Sequence, residues 1–394
     1  MMDILIEKSP LCGSIQAIPS KSDAHRALIA AALSASPCEI RLAATSADID
    51  ATARVLGALG ATIARGENGF YVDPIRQNAV QPHLDCGESG STLRFLLPVA
   101  AKVSQQPTFL GHGKLPERPI GALLTALSQH GVTATSDRLP LTLNGSPRAG
   151  NYTVPGDVSS QFISGFLFLL PLLESESALH IEGKQVSAQY TAMTIRTLRR
   201  FGVRIEATAD GYRVPGGQAY TAPKQYAVEG DWSNAAFFLA AGVDVQGLDD
   251  ASVQPDRAIV TLLPALDGTI DVSGCPDLFP ILAVCAAFHD GVTDFTGGAR
   301  LRVKECDRLS AMAECLHAMG AAIEEREDGM RVYGGRALHG AVVSGYNDHR
   351  IVMAMSIAGS RTGDLRITGA EAVRKSYPGF FDDFQALGGK YRVL

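Results

Sequence analysis

Apolar residues gather in runs long enough for helices, and most runs are entered through a short polar stretch. Residues 24–33, "AHRALIAAAL", predict a helix apolar over most of its surface, opened by "PSKSD". Residues 86–98, "CGESGSTLRFLLP", read as a Gly/Ser loop running into an apolar helix. "GDVSSQF" precedes "ISGFLFLLPLL", a buried helix broken at Pro171. "CPDLFPILAV", "YNDHRIVMAMSIAG" and "VRKSYPGFFDDF" repeat the habit in the second half.

A second pattern alternates. "LGALGATIARGENGFYV" begins at Leu56, "LSQHGVTATSDRLPLTL" at Leu127, "LRRFGVRIEATADGYRV" at Leu198 and "LHAMGAAIEEREDGMRV" at Leu316. Each predicts a helix end, a glycine just past it, a strand, a tight turn and a second strand. Asn68-Gly69, Asp210-Gly211 and Asp328-Gly329 are the turn signals, and weaker copies sit at "LPALDGTIDV" and "LGGKYRVL". Six units of about 65 residues follow, each with two helices and four strands. Three before Ala227 and three after it predict two similar α/β lobes, with a ligand cleft expected between them.

The chain has 394 residues, 46% hydrophobic and 19% charged, with a formal net charge of −6. That excludes a dominant nucleic-acid footprint, so any anion site must be a local concentration of cations. The seven cysteines form no C-x-x-C pair, which excludes the common zinc and redox motifs and fits a reducing cytoplasm. "MMDILIEKSPL" lacks an apolar signal core and no 18-residue apolar run occurs, so no membrane role is expected.

Local cations do occur, at the predicted helix starts. Lys21 and Arg26 flank Ser20, Ser22 and Asp23, where free N–H groups and the helix dipole already attract anions. Arg94 lies beyond Gly90, a residue that lets a ligand approach the backbone closely. Arg118 precedes Pro119, Ser159, Ser160 and Gln161 form a phosphate-sized cradle, and Ser187 and Tyr190 lie in "KQVSAQYT". The second half adds Lys304, Arg308, Arg350 and Lys375 together with two acids, Asp277 and Glu305. So many cations imply substrates rich in phosphate and carboxylate, and the acids suit proton transfer.

At these residues the chain resembles the 5-enolpyruvylshikimate-3-phosphate (EPSP) synthase family. "PSKSDAHRAL", "GESGSTLRFL", "LPERPI", "GDVSSQF", "LRVKECDRL", "DHR" and "RKSYPGFF" follow in the family's order along almost the whole chain. The resemblance implies two lobes, each of three βαβαββ repeats about a pseudo-threefold axis, with the active site in the cleft. It puts residues 1–14 with 229–394 in one lobe and 15–228 in the other. It implies transfer of the enolpyruvyl group of phosphoenolpyruvate to the 5-hydroxyl of shikimate 3-phosphate, without metal or cofactor, by a cytoplasmic monomer. Carried over, Lys21, Ser22, Arg26, Ser159, Ser160, Gln161, Ser187, Asp277 and Lys304 hold shikimate 3-phosphate. Lys21, Gly90, Arg118, Gln161, Arg308, Arg350 and Lys375 hold phosphoenolpyruvate. Asp277 accepts the hydroxyl proton, Glu305 protonates the methylene carbon and Lys21 touches both substrates.

Two departures stand out. The family loop usually written Asn-Ala-Gly-Thr-Ala-Met-Arg-Pro is "ESGSTLRF" here, and Arg300 takes the place of an amide side chain. The alternative is the sister family, UDP-N-acetylglucosamine enolpyruvyl transferase. There the N-terminal lysine is followed by asparagine and a reactive cysteine occupies the loop before the cleft arginine. Here Ser22 and Gly113 hold those positions.

Overall fold

A computed structural model describes residues 2–394. The chain divides into two compact units: Pro19–Glu229, and the segment up to Ile18 together with Gly230–Leu394. Ser14–Gln16 pair in parallel with Asp244–Gln246, which keeps the N-terminal segment in the second of these units as far as Ile18, beyond the boundary after residue 14 drawn from the sequence.

The unit Pro19–Glu229 holds three four-stranded sheets built alike. In one, Asn151–Pro155 and Ser177–Glu182 run parallel, and Gly211–Val214 then Glu206–Thr208 add antiparallel. The helices Ser160–Leu169 and Ala188–Arg200 connect them, giving the order βαβαββ. His83–Asp85, Thr108–Leu110, Leu141–Gly145 and Val132–Ala134 repeat that order. The third sheet takes its first strand, Gln225–Ala227, from the far end of the unit and lays it beside Cys38–Arg41.

The other unit has two such sheets. Gly268–Asp271, Val292–Thr296, Gly329–Tyr333 and Ala322–Arg326 form one. In the other, Val342–Ser344 and Leu365–Thr368 are followed by Ile4–Glu7 and then Lys390–Val393. Where a third is expected, Ser14–Gln16 and Asp244–Gln246 form only a two-stranded pair. This explains the weak copies. After "LPALDG" the chain enters the first strand of the next sheet, and "KYRV" takes its antiparallel partner from the start of the chain.

The four strong copies form antiparallel strand pairs, three of them joined by the predicted two-residue turns; Val132–Ala134 and Leu141–Gly145 are instead joined by the longer loop 135–140. Gly60, Gly131, Gly202 and Gly320 follow their helices with φ between +77° and +108°. Gly329 opens the last hairpin strand; a Cβ there would stand 1.9 Å from Phe295 O, so no larger residue fits.

Within each unit the helices sort by burial. Lys21–Ala32, Gly90–Val103 and Ser160–Leu169 are buried nearly all round and form the core of one unit. Trp232–Ala240, Phe279–Phe288 and His349–Thr362 do the same in the other. A helix apolar on every side is one that neighbours enclose. Ala47–Ala58, Ala188–Arg200 and Arg308–Ala318 instead carry polar faces to solvent. Among the described residues no helix is long and apolar enough to cross a membrane.

Candidate active site

Polar side chains cap most of these helices. Ser20, Ser89 and Ser159 accept from backbone N–H groups of the first turn in one unit, and Asp231, Asp307 and Asp348 do so in the other. Ser20, rather than Ser22, is the cap of the first helix. Each cap fixes where the next residues point, and caps of this kind are worth about 0.5–2 kcal/mol.

In the Pro19–Glu229 unit, Lys21 Nζ lies 2.8 Å from Asp48 Oδ2. Arg26 is buried, with Nε donating to Thr194 Oγ1 at 2.8 Å, Nη1 to Ser22 O at 2.6 Å and Nη2 to Tyr190 O at 2.8 Å. Burial pulls its guanidinium down to about 10, still charged at neutral pH. Ser187 precedes the helix Ala188–Arg200 in the left-handed region, at φ 53°. Local backbone strain of this kind is found where a side chain is held for a purpose.

Arg94 organises a second group. Its Nη1 donates to Gln161 Oε1 at 2.8 Å and its Nη2 to Pro119 O at 3.0 Å, while Gln161 Nε2 donates to Ser91 Oγ at 2.9 Å. Arg94 therefore ties the Ser159–Gln161 cradle to the turn that carries Arg118. Gly90 lies against Arg118 so closely that a Cβ would meet Nη1 at 2.7 Å.

The other unit concentrates charge around Arg308, whose side chain is 1% exposed. It donates to Asp277 Oδ1 at 2.8 Å, Glu305 Oε2 at 2.8 Å and Asp348 Oδ2 at 2.7 Å. Asp277 Oδ2 also accepts from Arg350 Nη2 at 2.9 Å, and Lys304 Nζ is 3.7 Å from Oδ1. Burial works against the charge of Asp277, but Arg350, Lys304 and Arg308 outweigh it and hold the carboxyl well below its usual range. Burial brings the Lys304 ammonium down to about 8, with Asp277 opposing. Lys375 donates to Asn347 O at 2.6 Å, just before the helix that carries Arg350.

Within one unit the structure thus brings Asp277, Lys304, Glu305, Arg308 and Arg350 together; within the other it gathers Gly90, Arg118 and Gln161, and joins Arg26 to Ser22. Sequence reasoning assigned no role to three members. Asp48 pairs with Lys21 from 27 positions away. Asp348, fully buried, anchors Arg308 as well as capping its helix. Asp256 is buried near Asp277, and burial foremost, then the Asp277 charge, pushes its carboxyl up to about 7. Nothing local in the sequence marks these pairings. The one short-range ion pair in "LRVKECDRL" that involves Arg308 is Glu305–Arg308, at i,i+3.

An α/β repeat protein whose buried helices begin in cations, hydroxyls and paired carboxylates is equipped to hold small polyanions and move protons among them. The family model of EPSP synthase (3-phosphoshikimate 1-carboxyvinyltransferase) matches residues 6–264 and 254–384. A 3-phosphoshikimate 1-carboxyvinyltransferase of Clostridium kluyveri is 40% identical, covering 99% of this chain and 98% of that protein. One from Clostridium perfringens is 37% identical over the full length of both. Among solved structures, an EPSP synthase from Acinetobacter baumannii superposes with a TM-score of 0.81 at 23% identity, covering 100% of both chains. The enolpyruvyl transferase NikO from Streptomyces tendae gives 0.80 at 16% identity, covering 100% of this chain and 98% of that one. The chain belongs to the EPSP synthase family.

Proposed function

We propose that this chain transfers the enolpyruvyl group of phosphoenolpyruvate to the 5-hydroxyl of shikimate 3-phosphate and releases phosphate. The observation that carries the reading is the Asp277 constellation: a carboxylate held by two guanidiniums and an ammonium, with Glu305 on the same arginine. It supplies a base, an acid and cations within a few ångströms.

Before substrates bind, Asp277 is a weak base because its charge is already neutralised by neighbours. Phosphate and carboxylate groups arriving at Arg308, Arg350, Lys304 and Lys375 compete for those cations and restore its basicity. Asp277 then takes the 5-hydroxyl proton as the oxygen attacks C2 of phosphoenolpyruvate. Glu305 gives a proton to C3, completing a tetrahedral intermediate. Loss of a C3 proton reforms the double bond as the C2–O bond to phosphate breaks, and the cations receive the leaving phosphate. Lys21, Ser22, Arg26, Ser159, Ser160, Gln161 and Ser187 hold shikimate 3-phosphate, with Asp277 and Lys304. Gly90, Arg118, Gln161 and Lys21 complete the phosphoenolpyruvate contacts. Seven free cysteines suit a cytoplasmic enzyme. A monomer is expected, to be checked by light scattering.

The test is phosphate release from phosphoenolpyruvate with shikimate 3-phosphate as acceptor. UDP-N-acetylglucosamine as acceptor is the control. Release with the second and not the first refutes the reading.

A further inference from the structure

A line of buried polar side chains runs through the apolar core of the Pro19–Glu229 unit. His25 Nδ1 is 2.7 Å from Thr52 Oγ1, Thr52 Oγ1 is 2.7 Å from Thr92 Oγ1, and Thr92 Oγ1 is 2.8 Å from Ser89 Oγ. Exposure is 1% at His25 and 0% at the other three. The line joins three helices, Lys21–Ala32, Ala47–Ala58 and Gly90–Val103. Asp48 and Thr52 lie one turn apart on the middle helix and meet Lys21 and His25, also one turn apart, as two rungs.

Thr92 O–H donates to Ser89, so Thr92 must accept from Thr52, and Thr52 must accept from His25. His25 then donates from Nδ1. Burial foremost, then the charges of Lys21 and Arg26, hold its pKa well below the usual histidine value. Its Nε2 is buried and makes no hydrogen bond among the described residues. Stability alone gives no reason for such a line. Leaving a buried polar atom unsatisfied costs about 1–3 kcal/mol, and apolar groups of the same shape replace a hydrogen-bonded pair at little cost.

The line ends at a functional place. Ser89 receives both Thr92 N–H, at 3.3 Å, and Thr92 O–H, and it is the residue before Gly90, which backs Arg118. We propose that His25, Thr52 and Thr92 are positioning residues that lock the Ser89–Gly90 turn beneath Arg118. The helix carrying Lys21, Ser22 and Arg26 thereby sets the phosphoenolpyruvate contacts. The inference rests on the assignment of Gly90 and Arg118 to phosphoenolpyruvate made under the proposed function.

The experiment compares Thr92→Val, Thr92→Ser and Thr52→Val by steady-state kinetics, with Arg118→Ala as the reference. Thr92→Val and Thr52→Val are expected to raise KM for phosphoenolpyruvate roughly tenfold, the loss of about one charge-neutral hydrogen bond's alignment, and to leave KM for shikimate 3-phosphate within about twofold. Thr92→Ser, which keeps the hydroxyl, recovers most of the loss. The 15N spectrum of labelled histidine shows His25 as the Nδ1–H tautomer in the parent and altered in Thr52→Val. Equal KM increases for both substrates, no difference between Thr92→Val and Thr92→Ser, or a lowered Tm with parent-like KM values overturns the proposal. If Arg118→Ala itself leaves KM for phosphoenolpyruvate unchanged, the underlying site assignment has failed instead. Thr52→Val keeps the test valid should Thr92→Val not fold.

Discussion

Gly90→Ala separates affinity from stability in one substitution. Gly90 is the first residue of the helix Gly90–Val103, and its φ is not in the left-handed region, so alanine is accepted by the backbone. Replacing a helical glycine lowers the entropy of the unfolded chain and stabilises by about 0.4–1 kcal/mol. The new methyl, however, would stand 2.7 Å from Arg118 Nη1, 2.8 Å from Cζ and 3.1 Å from Nη2. Ordinary contact begins near 3.5 Å, so the guanidinium must retreat by roughly 0.7–1 Å. Its far end is the movable partner, and the fold stays intact. A shift of that size breaks a two-pronged contact with an anion, and hydrogen bonds to charged groups are worth about 1.5–3 kcal/mol. That corresponds to a rise of roughly 10- to 150-fold in KM for phosphoenolpyruvate and a similar weakening of inhibitors that mimic it. KM for shikimate 3-phosphate should move by less than about threefold. Phosphate-release kinetics with each substrate varied in turn give both constants, and urea unfolding gives stability. An unchanged KM for phosphoenolpyruvate, or equal rises for both substrates, refutes the reasoning.

Lys21→Ala and Asp277→Ala should each lower turnover by orders of magnitude with unchanged circular dichroism; near-parental rates would contradict their roles. Arg308→Met leaves three carboxylates without their shared partner and should cost about 3–5 kcal/mol in urea unfolding, a loss below about 1 kcal/mol counting against the described network. Lys304 is charged below about 8 and neutral above it, so affinity for shikimate 3-phosphate should fall as pH rises through that value. A pH titration of KM checks this, and Lys304→Met should abolish the step.

The fold was legible because three hairpins carry their own turn chemistry within a few residues. Gly60 and Asn68-Gly69 specify a helix end and a turn wherever they occur. The remaining sheets were hard to read for a topological reason: the partner of Lys390–Val393 is Ile4–Glu7, and no local signal spans that distance. The site divides in the same way. Lys21, Gly90, Ser159 and Arg350 stand at helix starts, where caps and charge are written side by side. Asp48, Thr52 and Asp348 act through partners 27, 27 and 40 positions away, so their chemistry exists only once the helices pack.

The pairing of Ile4–Glu7 also sets an order of events during synthesis. That strand sits between Leu365–Thr368 and Lys390–Val393, so it has no strand neighbours until some 360 further residues have been made. At about 5–20 residues per second the wait is some tens of seconds. The unit Pro19–Glu229 has every strand it needs by Ala227 and can fold first. Ile4 and Ile6, fully buried in the folded chain, meanwhile wait as an unpaired apolar strand, open to pairing with other chains.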